Sequence, residues 1–353
     1  MSEDAVIVSA ESLKHFAHEI FLRAGMSGEH AGVTAEVLVW ADLRGVDSHG
    51  VTRIPRYVDL IEAGDMNPKP AITVGTETAA SVLLEADRAA GPVAMTSGMA
   101  AAVRKAKEAG VGLALVRGTT HTAALGYYTQ MGARQGMVAI ACAASGPNMA
   151  YHGARAAGVS TSPISIAVPG GHDGPVVLDM GTGVVAVGKL IQARKRGQAI
   201  PTGWALDRNG NPTTDPQAAK IPLPLGGPKG SGLSLMIECI TSLLVAKPIL
   251  AEALESGAER RRHRQNGLTL AVDIAKFCDP ATFQREVGRL AKAVKALPRA
   301  PGVDEILVPG ERGNRTLERR SRDGIPIPRT TFDELKVMAD RMGVPMLPPS
   351  SRP

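Results

Sequence analysis

Strand and helix signals do not take turns along this chain, and no other feature of the sequence constrains its fold as much. Helical periodicity dominates both ends, and the strand signals crowd the middle. A doubly wound parallel sheet needs strand and helix to alternate. The order therefore predicts an α+β protein with helical ends and the sheet between them. A length of 353 residues suits two domains.

Residues 9–25 predict a helix capped by Ser9 or Ser12, with Leu13, Phe16, Ile20 and Phe21 on one face. A second helix spans 28–44, capped by Ser27 and stopped at Gly45. The Pro-rich segment 66–72 is a connector and a domain-boundary candidate. Beyond it come strands at 72–74 and 81–85, a helix at 92–109 ended by Gly110, a strand at 112–117, a helix at 125–135 and a strand at 137–144. Strands 164–168 and 176–180 flank the turn PGGHDGP (169–175) as a hairpin. An apolar helix at 231–246, a strand at 268–274, a helix at 280–296 and a strand at 305–308 follow. Thr331 and Glu334 form a capping box for a last helix that stops at Gly343.

Aromatic residues are 3% of the chain, so the core must be built from small and aliphatic side chains. Such scarcity also argues against a stacking surface for single-stranded nucleic acid. A net charge of +6 permits an anionic small ligand without demanding DNA or RNA. The densest basic run, 260–264, reads as a solvated loop; a non-catalytic anion- or nucleic-acid-binding protein using that run is the rival reading. Cys142, Cys239 and Cys278 are widely spaced and odd in number, so neither a zinc site nor a disulfide framework is expected. No secretory signal opens the chain and no apolar stretch is long enough to span a membrane, which reads as a cytoplasmic protein without a membrane partner.

Two glycine-rich segments imitate nucleotide-binding motifs and fail. In VVLDMGTGVVAVGK (176–189) the third glycine, Gly188, falls two positions late for a dinucleotide fingerprint, and no acidic residue lies near twenty positions on. GGPKGSGLS (226–234) lacks the order of a phosphate loop. It still places Lys229 among Gly227, Gly230 and Gly232 before a helix from Ser231, an arrangement suited either to an anion or to an ordinary glycine-rich cap.

The chemistry is concentrated in Asp47-Ser48-His49-Gly50, with Arg53 four residues beyond His49. Histidine gives or takes a proton near neutral pH, and an arginine can grip a carboxylate through two parallel hydrogen bonds. If 49–53 form one helical turn, His49 and Arg53 share a face, which fits a small acid held by its carboxylate with a proton carrier aimed at its oxygen. The same spacing also suits a capping serine and a surface histidine. A second polar cluster, Thr119-Thr120-His121-Thr122, follows a predicted strand. A third, Pro309-Gly310-Glu311-Arg312, follows the last one, and Arg312 there suits either an anion or a solvated turn. The remaining histidines imply no metal, although His152 beside Tyr151 and Gly153 precedes a loop.

Seven segments carry a resemblance: 41–57, 116–128, 160–169, 176–183, 200–216, 224–233 and 308–312. In order and spacing they resemble the malate/L-lactate/sulfolactate dehydrogenase family, which includes ureidoglycolate dehydrogenase, diketogulonate reductase and the cyclic-imine (piperideine/pyrroline-2-carboxylate) reductases. The resemblance implies an NAD- or NADP-dependent oxidoreductase that forms homodimers, with its active site near the subunit interface. It implies a mostly antiparallel mixed sheet as cofactor domain, inserted into a helical domain, and no Rossmann fold. On this chain the helical catalytic and dimerisation domain would be 1–70 with 120–160 and 315–353. The NAD(P)-binding domain would be 71–119 with 161–314.

The resemblance further implies His49 as acid/base with Ser48 as its relay partner, and Arg53 as the substrate-carboxylate residue. His121 matches a residue beside the nicotinamide that is the proton acceptor in some members, so the choice between the two histidines stays open. Thr122, Ala123, Ala124 and Leu125 match the cofactor loop. Ser145 and Thr161 match cofactor and substrate contacts. Asp179, Met180 and Gly181 match a cofactor turn, Lys229 a phosphate-side contact, and Gly310, Glu311 and Arg312 another cofactor edge. Three departures stand out. Ser160-Thr161-Ser162-Pro163 replaces the usual G-T-N-P, Gly181-Thr182-Gly183 replaces A-T-S, and Gly188-Lys189 stands where the imine reductases carry an acidic relay residue. The expected reaction is hydride transfer between a small 2-hydroxy acid and its 2-oxo acid. A cyclic ketimine carboxylate, or a ureidoglycolate- or diketogulonate-type substrate, is the alternative.

Overall fold

The computed structural model describes residues 5–170, 174–255 and 264–347. Residues 171–173 of the predicted hairpin turn, with His172, and residues 260–263 of the basic run, with His263, lie outside the described residues.

A short strand, β1 (Ala5–Val8), precedes two helices, α1 (Ala10–Arg23) and α2 (Gly28–Leu43). Their starts follow from the two serine caps. Ser9 Oγ accepts the Ser12 N–H at 3.0 Å and Ser27 Oγ accepts the His30 N–H at 3.2 Å, satisfying amides that a first helical turn leaves without partners. The chain then runs through α3 (Ile54–Glu62), β2 (Thr73–Glu77), β3 (Ser81–Glu85), α4 (Gly91–Ala109), β4 (Val111–Thr119), α5 (Gly126–Ala133) and β5 (Met137–Ser145). Next come β6 (Met149–Ala150), β7 (Ala157–Val159), β8 (Ile164–Val168), β9 (Val176–Met180), α6 (Val187–Arg196), β10 (Ala205–Leu206), β11 (Pro212–Thr213) and β12 (Ile221–Pro222). The last third holds α7 (Pro228–Glu238), α8 (Leu250–Glu255), β13 (Gln265–Asp273), α9 (Pro280–Lys295), α10 (Glu311–Asp323), β14 (Ile325–Pro328) and α11 (Arg329–Met342).

Helices and a mixed sheet make up the fold. The main sheet has the order β2-β3-β4-β13-β5-β8-β9. Only β3 and β4 pair in parallel; every other neighbouring pair is antiparallel. Its centre is β13, where Leu270 lies opposite Leu113 on one side and Ile140 on the other. Helices α4 and α5 pack on this sheet, and α1, α2, α3 and α11 pack together beside α4. One continuous apolar core joins them, from Leu13, Phe16 and Ile20 through Leu38, Tyr57 and Met95 to Val116 and Ala139. Most of it is Ala, Val, Leu and Met, as the scarcity of aromatics requires.

Several expectations are corrected. No strand forms at 305–308; Ile306, Leu307 and Val308 have no regular secondary structure and pair with no described strand. The last helix begins at Arg329, before Thr331, and takes no side-chain cap, so the Thr331–Glu334 box does not form. Helix α7 starts at Pro228 rather than Ser231 and passes into a π-helical turn at Cys239–Leu243. Strand β5, from the segment 120–160, pairs with both β13 and β8 inside the sheet. Residues 49–53 are not one helical turn: two 3-10 turns, Asp47–His49 and Val51–Arg53, are separated by an extended Gly50. β1 pairs antiparallel with β14, a link between chain ends that no local pattern announced.

Register collects the chemistry at one end of the sheet. Gln265, at the start of β13, pairs with Thr119 on β4 and Ser145 on β5. Met180 closes β9 opposite Ile164. Loop ends at such an edge are free to carry ligand contacts while the strands hold them still.

Candidate active site

A cavity of about 1100 Å³ opens over that end of the sheet. Its wall includes Ser48, His49 and Arg53 from the two 3-10 turns and the whole segment His121–Leu125 after β4. Ser145, Thr161, Asp179, Met180 and Gly181 come from the strand ends, and Val185–Gly188 from the start of α6. Thirteen of the expected site residues thus face one space.

The His49 turn is built on a buried carboxylate. Asp42, at the end of α2, accepts the Val51 N–H at 2.8 Å. A Cβ on Gly50 would lie 1.9 Å from Asp42 Oδ1, so the turn closes over Asp42 only because residue 50 has no side chain. Burial pushes the Asp42 carboxyl well up; the Val51 amide and Arg320 act against it. Arg320 reaches in from α10, donating to Asp42 O and to Asp47 Oδ1, the latter at 2.5 Å. Above this base Ser48 Oγ meets His49 Nδ1 at 2.9 Å, and Arg53 Nε donates to Ser48 O at 2.6 Å. Burial first, and the charge of Arg53 second, push the His49 imidazolium down to about 4, so the ring is neutral at pH 7. The Cβ missing from Gly188 would stand 2.6 Å from Ser48 Cβ. Helix α6 therefore packs its backbone directly on the serine.

His121 faces His49 with ring centroids 5.6 Å apart and planes 23° from parallel. It is held from behind by Tyr57, whose hydroxyl donates to His121 O at 2.9 Å and lies 2.9 Å from His121 Nδ1. Tyr57 is fully buried, and burial pushes its phenol pKa up, so it stays a neutral donor. The following residues make a tight loop. Gln265 Oε1 accepts the Thr122 N–H at 3.2 Å, and Ala123 takes φ +53°, a left-handed conformation that an L-residue holds only when its surroundings impose it. Asp179 Oδ2 accepts the Gly126 N–H at 2.7 Å, at the start of α5. The carboxyl is reachable from the cavity, but the protein packed around it raises it to about 6, against the Gly126 amide and Arg44. Asn148 fixes Thr161 by accepting its N–H at 2.8 Å.

The family model described as malate/L-lactate dehydrogenase matches residues 8–336. A malate dehydrogenase of Pyrococcus horikoshii is 35% identical over 98% of each chain. A malate/(S)-sulfolactate dehydrogenase of Methanothermus fervidus is 33% identical over 96% of this chain and 99% of its own. The crystal structure of malate dehydrogenase from Entamoeba histolytica superposes with a TM-score of 0.92 at 27% identity, covering 97% of this chain and 99% of that one. The chain belongs to the malate/L-lactate dehydrogenase family.

Members of this family are oxidoreductases, and this chain is one; the family implies a nicotinamide cofactor. The cavity fits a nicotinamide dinucleotide beside a small acid. Its volume slightly exceeds what one drug-sized ligand takes. Ala143, Ala144, Gly146, Gly181 and Gly183 give it a wall of small side chains. Beside them the N–H groups of Ala124 and Leu125 donate to no other described residue.

Four residues expected at the cofactor are not in the cavity wall: Lys229, Gly310, Glu311 and Arg312. The loops next to Lys229 and Gly310 brace the wall from outside it. The Leu225 N–H donates to Thr182 O at 2.9 Å, so the loop before Lys229 backs the 181–183 turn, and Lys229 itself is exposed. The Val177 N–H donates to Pro309 O at 3.2 Å and Arg44 Nη2 to Gly310 O at 3.1 Å, so this loop braces β9. Glu311 is taken up by Lys295 and Arg315.

Sequence reasoning missed Asp42, Tyr57, Arg56, Asn148, Gln265 and Arg320. Asp42, Arg56 and Tyr57 stand inside the segment 41–57 that carries the resemblance, which was the available signal. Gln265 and Arg320 reach the site only through sheet register and helix packing.

Proposed function

We propose that this protein interconverts a small 2-hydroxy acid and its 2-oxo acid, with NAD or NADP as cofactor. The observation that carries this reading is the placement of His49 and Arg53 on the wall of one cavity together with the 121–125 loop and the 179–181 turn. A nicotinamide cofactor, when bound, takes up or supplies the hydride at C2. The terminal nitrogens of Arg53 make no hydrogen bond to described residues, because only Nε is engaged. They suit the substrate carboxylate, and gripping it fixes which face of C2 is presented. His49 moves the proton at the C2 oxygen. Its Nδ1 is held by Ser48, and its other nitrogen bonds to no described residue. A neutral ring accepts the hydroxyl proton during oxidation and returns it during reduction. The stacked His121, anchored by Tyr57, forms the neighbouring wall.

The ketimine alternative is disfavoured by Gly188, whose backbone lies against Ser48 where an acidic relay would be needed. We further read the mostly antiparallel sheet as the cofactor platform and the packed helices as the catalytic and dimerisation part. Leu235, Met236, Ile240, Leu243 and Leu244 are exposed along α7 and its π-helical turn, a contiguous apolar strip that supports a homodimer. The unpaired thiols of Cys142, Cys239 and Cys278 are in keeping with a reducing cytoplasm. The test is isotopic. With cofactor deuterated at the transferring position, mass spectrometry should find the label at C2 of a 2-hydroxy acid product. Label lost to solvent, or no product from any 2-oxo acid, would contradict the assignment.

A further inference from the structure

Glu238 is the last residue of α7, is only 3% exposed and immediately precedes the π-helical turn. Its Oε1 accepts two amides at once, the Ile249 N–H at 2.8 Å and the Leu250 N–H at 3.0 Å, where α8 begins. Its Oε2 is buried without a hydrogen-bond partner among the described residues. Taking a carboxylate out of water is costly, and a serine or aspartate at the surface would cap so short a helix for far less. The backbone between the two ends is held in costly forms as well. Ala246 takes φ +51°, and the preceding turn is π-helical, both features that gather at functional sites. Arg117 Nη1 donates to Val245 O at 2.9 Å, and Asn266 Nδ2 donates to Lys247 O at 2.9 Å.

All of this fixes one stretch of the cavity wall, which begins at Pro248 and Ile249. Ile249 also shares a narrow adjoining cleft with Asp65 and Thr119, so this apolar corner lies on the side where β4 delivers His121. The 179–181 turn leaves β9 at the sheet's edge, with β13, β5 and β8 between it and β4.

We propose that Glu238 is a positioning residue for substrate choice: it holds the Pro248–Ile249 corner against the His121 side of the cavity, where the corner limits the length of chain that a 2-oxo acid can carry beyond C2. This rests on the reaction assigned above. The acid reacts beside His49 and His121, so its chain meets this corner, while the cofactor extends toward the 179–181 turn. Ile249 both supplies the apolar surface and donates one of the amides that Glu238 takes up. The shape of the corner therefore depends directly on that carboxylate.

The probes are straight-chain 2-oxo acids of three to six carbons, and oxaloacetate beside 2-oxoglutarate, neighbours in each set differing by one methylene. The purified full chain is assayed with all of them, and cofactor affinity is measured separately by fluorescence titration. Wild type should lose about tenfold or more in kcat/KM at one step of lengthening, as where a close-fitting wall meets an added methylene. In Glu238→Ala the corner is released, so that step should shrink to about threefold or less. KM for the shorter acids should rise more than kcat falls, with cofactor affinity as in wild type. Glu238→Gln keeps a carbonyl oxygen for both amides and should keep the step. Ile249→Ala leaves those amides in place and should move the step to a longer acid, which decides the matter even where Glu238→Ala does not fold. A flat series in wild type, an equal loss for every acid in Glu238→Ala, Glu238→Gln behaving as Glu238→Ala, or an unmoved step in Ile249→Ala overturns the inference while the reaction assignment stands. Reduction of no 2-oxo acid by wild type, with the cofactor still bound, overturns both.

Discussion

Asp42, Gly50, Ser48 and Gly188 hold His49 through contacts that leave no spare room. A methyl group on either glycine would strike the carboxylate or the serine. That fixity keeps the imidazole pressed into protein beside Arg53, and the cost is borne by its charged form. An unfolded histidine titrates at 6.5 and His49 at about 4. Between those values the unfolded chain binds the extra proton, so stability rises with pH across this window and is lost on acidification. Denaturant midpoints of wild type should therefore fall between about pH 7 and about pH 4.5 by more than those of His49→Gln. Equal falls would mean that the ring is not held neutral. At this scale the sequence was informative. Ser48, His49, Arg53 and His121 could be singled out because histidine, serine and arginine cluster there. Spacing alone suited a capping serine and a surface histidine equally, and it was the resemblance that pointed to a site; the structure puts all four on one cavity wall. Asp42 and Tyr57 could not be singled out, because their roles exist only once a turn folds over one and a loop packs on the other.

At the scale of elements, helix ends were legible where a cap or a glycine marks them. Ser9, Ser27, Gly45, Gly110 and Gly343 all act as read. Elements set by distant partners were not. The segment Glu305–Val308 has a strand's composition but meets no edge to pair with. Helix α10 is polar on nearly every side (ERGNRTLERRSRD), so no apolar stripe announces it. It is held instead by Arg320 on Asp42 and Asp47, and by Arg44, which also donates to Asn314 Oδ1 at 2.5 Å. Arg320→Leu removes the hydrogen bonds by which α10 clamps the His49 turn. It should cost on the order of 1–3 kcal/mol in denaturant unfolding, at the low end because Asp47 is half exposed. It should also lower kcat more than it weakens cofactor binding, and Arg320→Lys should restore part of both. Wild-type kcat in Arg320→Leu would show that α10 does not position the turn.

At the scale of the whole molecule, the lack of strand–helix alternation correctly pointed away from a regular parallel sheet, and the low aromatic content correctly described the core. The order of strands was beyond local reading. Strand β13 enters between β4 and β5 from far along the chain, a pairing fixed by burial of both its faces rather than by any turn. That insertion brings Gln265 to the 121–125 loop and completes the cavity. The His49–Arg53 turns, the 121–125 loop and the small-residue wall thus come from separate stretches of chain that meet only when folded. The most direct measurement of this account is single-turnover reduction of a 2-oxo acid by His49→Ala with reduced cofactor pre-bound, beside the cofactor dissociation constant of the same variant. The account predicts a hydride-transfer rate lower by about 10²- to 10⁴-fold, as for loss of a general acid, with cofactor affinity unchanged. A rate within about threefold of wild type would contradict it and shift the proton role to His121.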